Sequence, residues 1–504
     1  MRISVATVCC TATVFLAVCL GSCKTTPPAA GPTGPAVTEK PVEKPQKKEF
    51  TRTGFATDLE ALLSAGKYDE AIALFDAVPQ PDASDLSIQK LKLSVLISAG
   101  KLADAGTLAT TLETANPNNT DILYMQAVLA LARGDAAART SYLNRIIKID
   151  SANAEALTAL GLDYYSKKNY PQAKSLLVKA IAADRTNTEA LIGLARVYYM
   201  EDELPKAGDT LNLAIEREPN NSIIWAERAR IKSETNDLPG ALKDIEKAVS
   251  LDPDIYSHRI DAGSYYITAG KQKEARDAFT QAIRIQPNHY LAYIYRAGLN
   301  DDLGNADEAL SDYETVCRLY PQYWYASESL GILRWGKGDW AGARECFVRA
   351  LQYNPANASY ALMLTLCYYR EGKNDEAKAF MAKYMTTLDR EKTEYYVCRL
   401  FVDRSGDADV LNRITHEKNP NDRNRMLFYS AMYYDLFQSK EIAQKYYQEV
   451  LSTEVPSFFE YRLSKWALAD IERDAGKANG SADGGAKASP ARTGEKAGNE
   501  AVKG

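Results

Sequence analysis

Histidine is nearly missing from this chain: His258, His289 and His416 are the only three in 504 residues. None stands in an H-E-x-x-H or other metal-ligand spacing, so the sequence offers no histidine-based metal centre. No G-x-S-x-G elbow and no Walker loop occurs. Gly336-Lys337-Gly338 is not a phosphate cradle, because no strand-like run precedes it and no Lys-Ser/Thr follows. A basic excess is absent too. The 61 Lys and Arg face 66 Asp and Glu, a formal net charge of −5, which leaves no electrostatic footprint for nucleic acid. Metal-ligand spacing among the cysteines is also lacking. Cys9, Cys10, Cys19 and Cys23 crowd the first 23 residues. Cys317, Cys346, Cys367 and Cys398 are scattered without a C-x-x-C, as expected of small buried apolar side chains. The expectation is a protein that is not an enzyme, with no cofactor, no metal and no small-molecule substrate.

What is present begins with an export signal. Arg2 forms a basic start and Val5 to Leu20 is apolar but softened by Thr7, Thr11 and Thr13. That run is shorter and less apolar than the ~20 residues a transmembrane helix requires. Leu20-Gly21-Ser22-Cys23 then resembles a bacterial lipobox, which implies a signal peptide over 1–22 and lipid attachment at the Cys23 thiol. Several acyl chains make a stable anchor where one holds only marginally. Residues 23–51 are rich in Pro, Lys, Glu and Thr and read as a tether. Fully extended, its stretch from Lys24 to Lys48 would reach on the order of 75 Å, at ~3.1 Å per residue. Residues 475–504 are rich in Gly, Ala, Ser and Lys, carry no hydrophobic period and read as a disordered tail.

Between the ends runs a 34-residue beat. Glycines fall at Gly66, Gly100, Gly134, Gly270, Gly304, Gly338, Gly372 and Gly406, and the skipped slots hold Lys168, Asp202 and Asn236. Prolines keep the same interval at Pro117, Pro219, Pro253, Pro287, Pro321 and Pro355. Alanines follow each glycine slot by five, from Ala71 and Ala105 through Ala173, Ala207, Ala241, Ala275, Ala309 and Ala343 to Ala377. Apolar residues at helical spacing precede each glycine, as in Leu157, Leu160, Gly161 and Tyr164. Glycine can end that helix in a left-handed residue. A second amphipathic run follows, and proline stops it while fitting the first turn of the next helix. The alanines mark where two helix axes approach closely. Each unit is a helical hairpin unable to bury its apolar face alone, so the units must stack.

The pattern resembles that of tetratricopeptide repeats. Residues 256–289 carry it in full, with Gly263, Tyr266, Gly270, Ala275, Phe279, Ala282 and Pro287. Ten units stand in register over 52–391, and 392–474 hold two degenerate units and a C-terminal capping helix. Arg139 replaces the close-packing alanine, and Lys232, Asn300 and Arg334 replace the tyrosine, so those junctions are expected to be looser or engaged in contacts. The resemblance implies an all-α solenoid, a right-handed superhelix whose first helices line a concave groove that binds proteins or peptides.

Groove-facing slots then name candidates. The sharpest reading is a cationic step, Arg196 and Arg230, flanked by Tyr165 and Tyr199, with Trp335 and Tyr369 later in the tyrosine column. Planar guanidinium groups would fork onto carboxylates of a partner. The plainer alternative has the tyrosines packing and the arginines paired with Glu227 or Glu234. The Lys/Asn/Arg carboxylate clamp of chaperone-binding repeats is absent, since Ala56, Glu60 and Leu91 stand at those slots. The aromatic C-terminal units are similar to those of lipid-anchored adaptors that dock peptidoglycan-cleaving enzymes in double-membraned bacteria. With Lys24 after the cysteine, the expectation is an outer-membrane scaffold facing the periplasm. The alternative is a surface-exposed adhesin or ligand receptor.

Overall fold

The computed structural model describes residues 50–453 and 458–479, with side chains to 474 in the last helix. The export signal, Cys23, nearly all of the tether and the 480–504 part of the tail lie outside the described residues. The chain divides into two compact units, Met1–Ile231 and Lys232–Gly504. Among the described residues each is built only of helices joined by short loops, and each helix packs chiefly on the next in sequence.

The 34-residue beat has a direct geometric content. One period is a 13-residue helix (Ala154–Ser166), three linking residues, a 14-residue helix (Tyr170–Ala183) and four more. All eleven beat positions, from residue 66 to residue 406, adopt a left-handed backbone. The glycines do so at φ between 69° and 89°, while Lys168, Asp202 and Asn236 are held there at 59–61°. Side-chain caps hold the starts. Asn119, Asn153, Asn187 and Asn357 cap first helices, and Asp135, Asn169, Asp237 and Asp339 cap second helices.

The prolines sit differently from the sequence expectation. Pro219 lies in the loop before Ser222–Glu234, three residues ahead of that helix rather than in its first turn. It terminates one helix without starting the next. First turns are occupied by Pro171, Pro205 and Pro239, at the start of second helices, and by Pro420, at the start of Pro420–Phe437.

Close approach of helices is the packing principle. Ala71, Ala105, Ala173, Ala207, Ala241, Ala275, Ala309, Ala343 and Ala377 are all fully buried. Where Arg139 takes that slot, its guanidinium is buried and tied to Asp163 at 2.8 and 3.1 Å. That junction is closed by a charge pair and is not loose. Lys232 likewise reaches buried Asp244 at 2.9 Å, and Arg334 reaches Glu314 at 2.7 Å.

The first and last hairpins depart from the pattern. The second helix of the first hairpin stops at Leu74 and ends in a 3-10 turn, Phe75–Ala77, ahead of Pro79 and Pro81. The eleventh hairpin is short, Thr393–Asp403 with Asp407–Thr415. The twelfth begins with an 18-residue helix, Pro420–Phe437, followed by Lys440–Ser452. The closing helix is Phe459–Asn479. The C-terminal part of the second unit shares one aromatic-rich core that runs from Ile332 to Leu468 and includes Tyr360, Phe401, Tyr429 and Tyr447.

Two glycines in the first helices of neighbouring hairpins separate packing from propensity. A Cβ on Gly263 would stand 2.4 Å from the Phe279 ring, so Gly263→Ala is expected to destabilise the second unit by ~1–3 kcal/mol. At Gly298 a Cβ meets nothing closer than 4.0 Å, so Gly298→Ala is expected to stabilise by about 0.5–1 kcal/mol. Denaturant unfolding of the two variants should show opposite signs.

Candidate functional site

In the first unit, Arg196 and Arg230 occupy equivalent positions on the helices Thr188–Met200 and Ser222–Glu234. The two guanidinium groups converge on one carboxylate. Arg196 donates to Glu227 Oε1 from Nε at 2.8 Å and from Nη2 at 2.7 Å, while Arg230 Nη2 donates to Glu227 Oε2. The Arg230 guanidinium also lies over the Tyr199 ring, 4.6 Å from its centroid. A cation over an aromatic face is held by the ring quadrupole. Glu227 is mostly covered, at 13% side-chain exposure, but the arginines keep 35% and 42%. This cluster of two cations and one anion carries a formal charge of +1. Arg230 Nε is buried and has no hydrogen-bond partner among the described residues.

The plainer pairing read from the sequence is therefore present, with Glu227 as the partner. It does not neutralise the step. Tyr165 is half-buried and packs against Tyr170 of its own hairpin, 5.9 Å between ring centroids. Tyr198, which the sequence reading passed over, carries Lys174 over its ring at 4.8 Å and Lys206 at 5.6 Å.

Trp335 and Tyr369 require a correction. They belong to the same column as Tyr165 and Tyr199, yet they are only 9% and 6% exposed. Trp335 packs edge-on against Trp340. Tyr369 packs edge-on against Phe437, and its hydroxyl donates to the Phe401 carbonyl. Trp335 is covered within its own hairpin, by Trp340, whereas Tyr369 is covered by the degenerate hairpins, which fold over this face of the second unit. Arg370 reaches Asp435 at 2.7 Å, and the Tyr429 hydroxyl donates to the Ser359 carbonyl at 3.2 Å. The column is groove-facing in slot but covered in fact.

The same folding-over creates a cluster that periodicity does not announce. Glu460, in the first turn of the closing helix, is fully buried. Its Oε1 accepts from the Ser359 hydroxyl and from the Tyr429 hydroxyl at 3.0 Å, while Oε2 has no partner. Glu328 accepts from the Tyr360 hydroxyl. Burial pushes the Glu328 carboxyl up to about 7, with the Glu460 charge adding to the rise; the Tyr360 hydrogen bond and Arg425 oppose it. Burial raises Glu460 as well, against hydrogen bonds from Ser359 and Tyr429 and the charge of Arg425. The only sequence signal was a glutamate placed among the aromatics of Phe458-Phe459-Glu460-Tyr461.

No group of three or more His, Cys, Asp or Glu residues placed to hold a metal ion occurs among the described residues. Cys317, Cys346, Cys367 and Cys398 are buried and unpaired, and burial pushes the Cys346 thiol up to about 11.

The raised Glu328 carboxyl sets a sign for pH dependence. A carboxyl whose native pKa lies above its unfolded value contributes stability below about 4.5, and that contribution is lost as pH rises through about 7. The second unit is expected to melt lower at pH 8 than at pH 6. Glu328→Gln should remove most of that difference, raising the pH 8 melting temperature by ~2–4 °C, about 1 kcal/mol. Calorimetry at the two pH values checks it.

Tetratricopeptide-repeat family models match residues 164–231, and residues 226–290, 260–323 and 328–385. Similar solved structures include Pseudomonas aeruginosa pilF, 22% identical with a TM-score of 0.37, covering 42% of this chain and 96% of that one. A tetratricopeptide repeat protein from Parabacteroides merdae is 18% identical with a TM-score of 0.32, covering 56% and 98%. MamA from Desulfovibrio magneticus is 16% identical with a TM-score of 0.31, covering 34% and 96%. The beat of left-handed turns, the buried alanines and the family matches agree, and residues 164–323 and 328–385 of this chain are tetratricopeptide repeats.

Proposed function

We propose that this protein is a lipid-anchored scaffold of the bacterial cell envelope, which holds partner proteins or peptides on its repeats. Tetratricopeptide-repeat proteins generally mediate protein–protein interaction, and that much applies to this chain through these repeats. The anchor rests on the Leu20-Gly21-Ser22-Cys23 motif and the outer membrane on Lys24. The observation that carries the binding reading is the Arg196–Glu227–Arg230 step. Two half-exposed guanidinium groups share one covered carboxylate. Such a step suits a carboxylate of the partner, because charge-assisted bonds to arginine are the stronger class and the Tyr199 ring fixes the fork beforehand.

Photo-crosslinking from position 199 in intact cells, followed by identification of the attached proteins, tests the site. Removing both arginines alone would leave the covered Glu227 carboxylate unpaired, so the test uses the triple variant Arg196→Gln/Glu227→Gln/Arg230→Gln. It is expected to lose the crosslinked partner at least ten-fold while its melting temperature stays within about 2 °C. Unchanged crosslinking in the triple variant sinks the assignment. A separate measurement addresses the anchor: Cys23→Ser should abolish incorporation of labelled palmitate and release the protein from the membrane fraction.

A further inference from the structure

The closing helix does more than cover the last hairpin. Arg462 reaches Asp301 with two parallel hydrogen bonds, Nη1 to Oδ2 at 2.7 Å and Nη2 to Oδ1 at 2.6 Å, across 161 residues of sequence. Glu460 reaches Ser359 across 101 residues. Phe459 stacks on Tyr360, 6.4 Å between centroids and 11° between planes. All these contacts lie within the second unit. Asp301 stands at the twelfth slot of its hairpin and Ser359 at the second, so the helix lies along the row of first helices, where an array of this kind meets its ligands.

We propose that Phe459–Asn479 is a displaceable internal ligand of the second unit, occupying a groove that accepts an aromatic amphipathic helix of a partner protein with an arginine in its first turns. Three observations carry this. The helix is held at its N-terminal turns by charge and hydrogen bonds as much as by apolar burial. One of those contacts is poorly matched, because buried Glu460 leaves Oε2 unpartnered near a second covered carboxylate, Glu328. An element selected only for stability gains more from apolar residues at such a site. Second, the groove presents Asp301 and Asp302 at one place, and the helix answers them with the Arg462 fork. Third, the aromatic row that receives Phe459 continues beyond it. Tyr360 meets Trp324, Trp324 meets Tyr325, and Tyr325 meets Tyr323 at 6.1, 5.7 and 6.3 Å. Tyr325 is 52% exposed, so part of the row stands open beside the occupied part. A partner helix with more aromatic residues would displace the internal one by covering both. The inference concerns a surface separate from the Arg196–Arg230 step and stands or falls without it.

The test uses the full chain and a fluorescein-labelled peptide of residues 458–474, FFEYRLSKWALADIERD, as the probe. Arg462→Asp should undock the internal helix and let the chain bind the peptide at least ten-fold more tightly than the unmodified chain does. Adding Asp301→Arg should abolish peptide binding again, because the reversed pair re-docks the internal helix and the groove now repels the arginine of the probe. Equal peptide binding by the unmodified chain and Arg462→Asp overturns the proposal. Hydrogen exchange on the unmodified chain gives a readout independent of any variant. Amides of 463–470 should exchange at least ten-fold faster than those of Trp324–Gly336 and Ala358–Arg370. Exchange of all three segments together marks the helix as a fixed part of the core and overturns the proposal.

Discussion

Two helices can lie close only where neither carries a bulky group at the crossing, and this constraint organises the regular hairpins, with Arg139 as the exception that a charge pair accommodates. The fully buried alanines and the glycines facing Leu177 and Phe279 are its two sides. A methyl or a hydrogen at the contact lets neighbouring large side chains fill the flanking space at crystal-like density. The left-handed residue between the helices then fixes the return angle, so the same contact recurs 34 residues later. Regular hairpins present equivalent surfaces at equivalent slots. That is why Arg196 and Arg230, one period apart, meet at a single carboxylate.

Regularity also explains where the surface is lost. As long as hairpins repeat, the row of first helices remains a solvent-facing wall, as around Tyr199 and Arg230. Once the period fails after Met385, the short Thr393–Asp403 and the long Pro420–Phe437 no longer match their predecessors. The chain then folds onto its own wall, and aromatic residues that would face a ligand become core. The polar residues caught there had to be satisfied internally. Glu460 is satisfied at one oxygen and not at the other.

How much of this was legible in the sequence depends on whether a feature repeats. The hairpins, their turns and the close-packing alanines each occur about ten times, so chance coincidence was excluded by counting. Pairing of Arg196 and Arg230 with Glu227 was readable as one of two options, since all three positions follow from helical spacing. The burial of Trp335 and Tyr369 was not readable, because slot identity tells which way a side chain points and says nothing about what later folds across it. The Asp301–Arg462 fork lay beyond any local rule, joining residues 161 apart with no shared motif. The role of the prolines was misjudged by three residues: Pro219 halts a helix from within the loop, whereas the Asn187 and Asn153 side chains show that first helices start on capping amides.

The four buried thiols of the second unit have a kinetic consequence. Only a thiolate attacks alkylating reagents or disulfides at a useful rate. Burial holds Cys346 near 11 and raises Cys367 and Cys398 further, so the native state reacts slowly even in an oxidising compartment. Labelling must wait for local opening, and its rate then reports how often each hairpin opens. Cys317, Cys346, Cys367 and Cys398 lie on four different helices, one in each of four consecutive hairpins. The chain thus carries its own set of stopwatches for breathing motions, positioned along the stretch where the regular array gives way to the folded-over end.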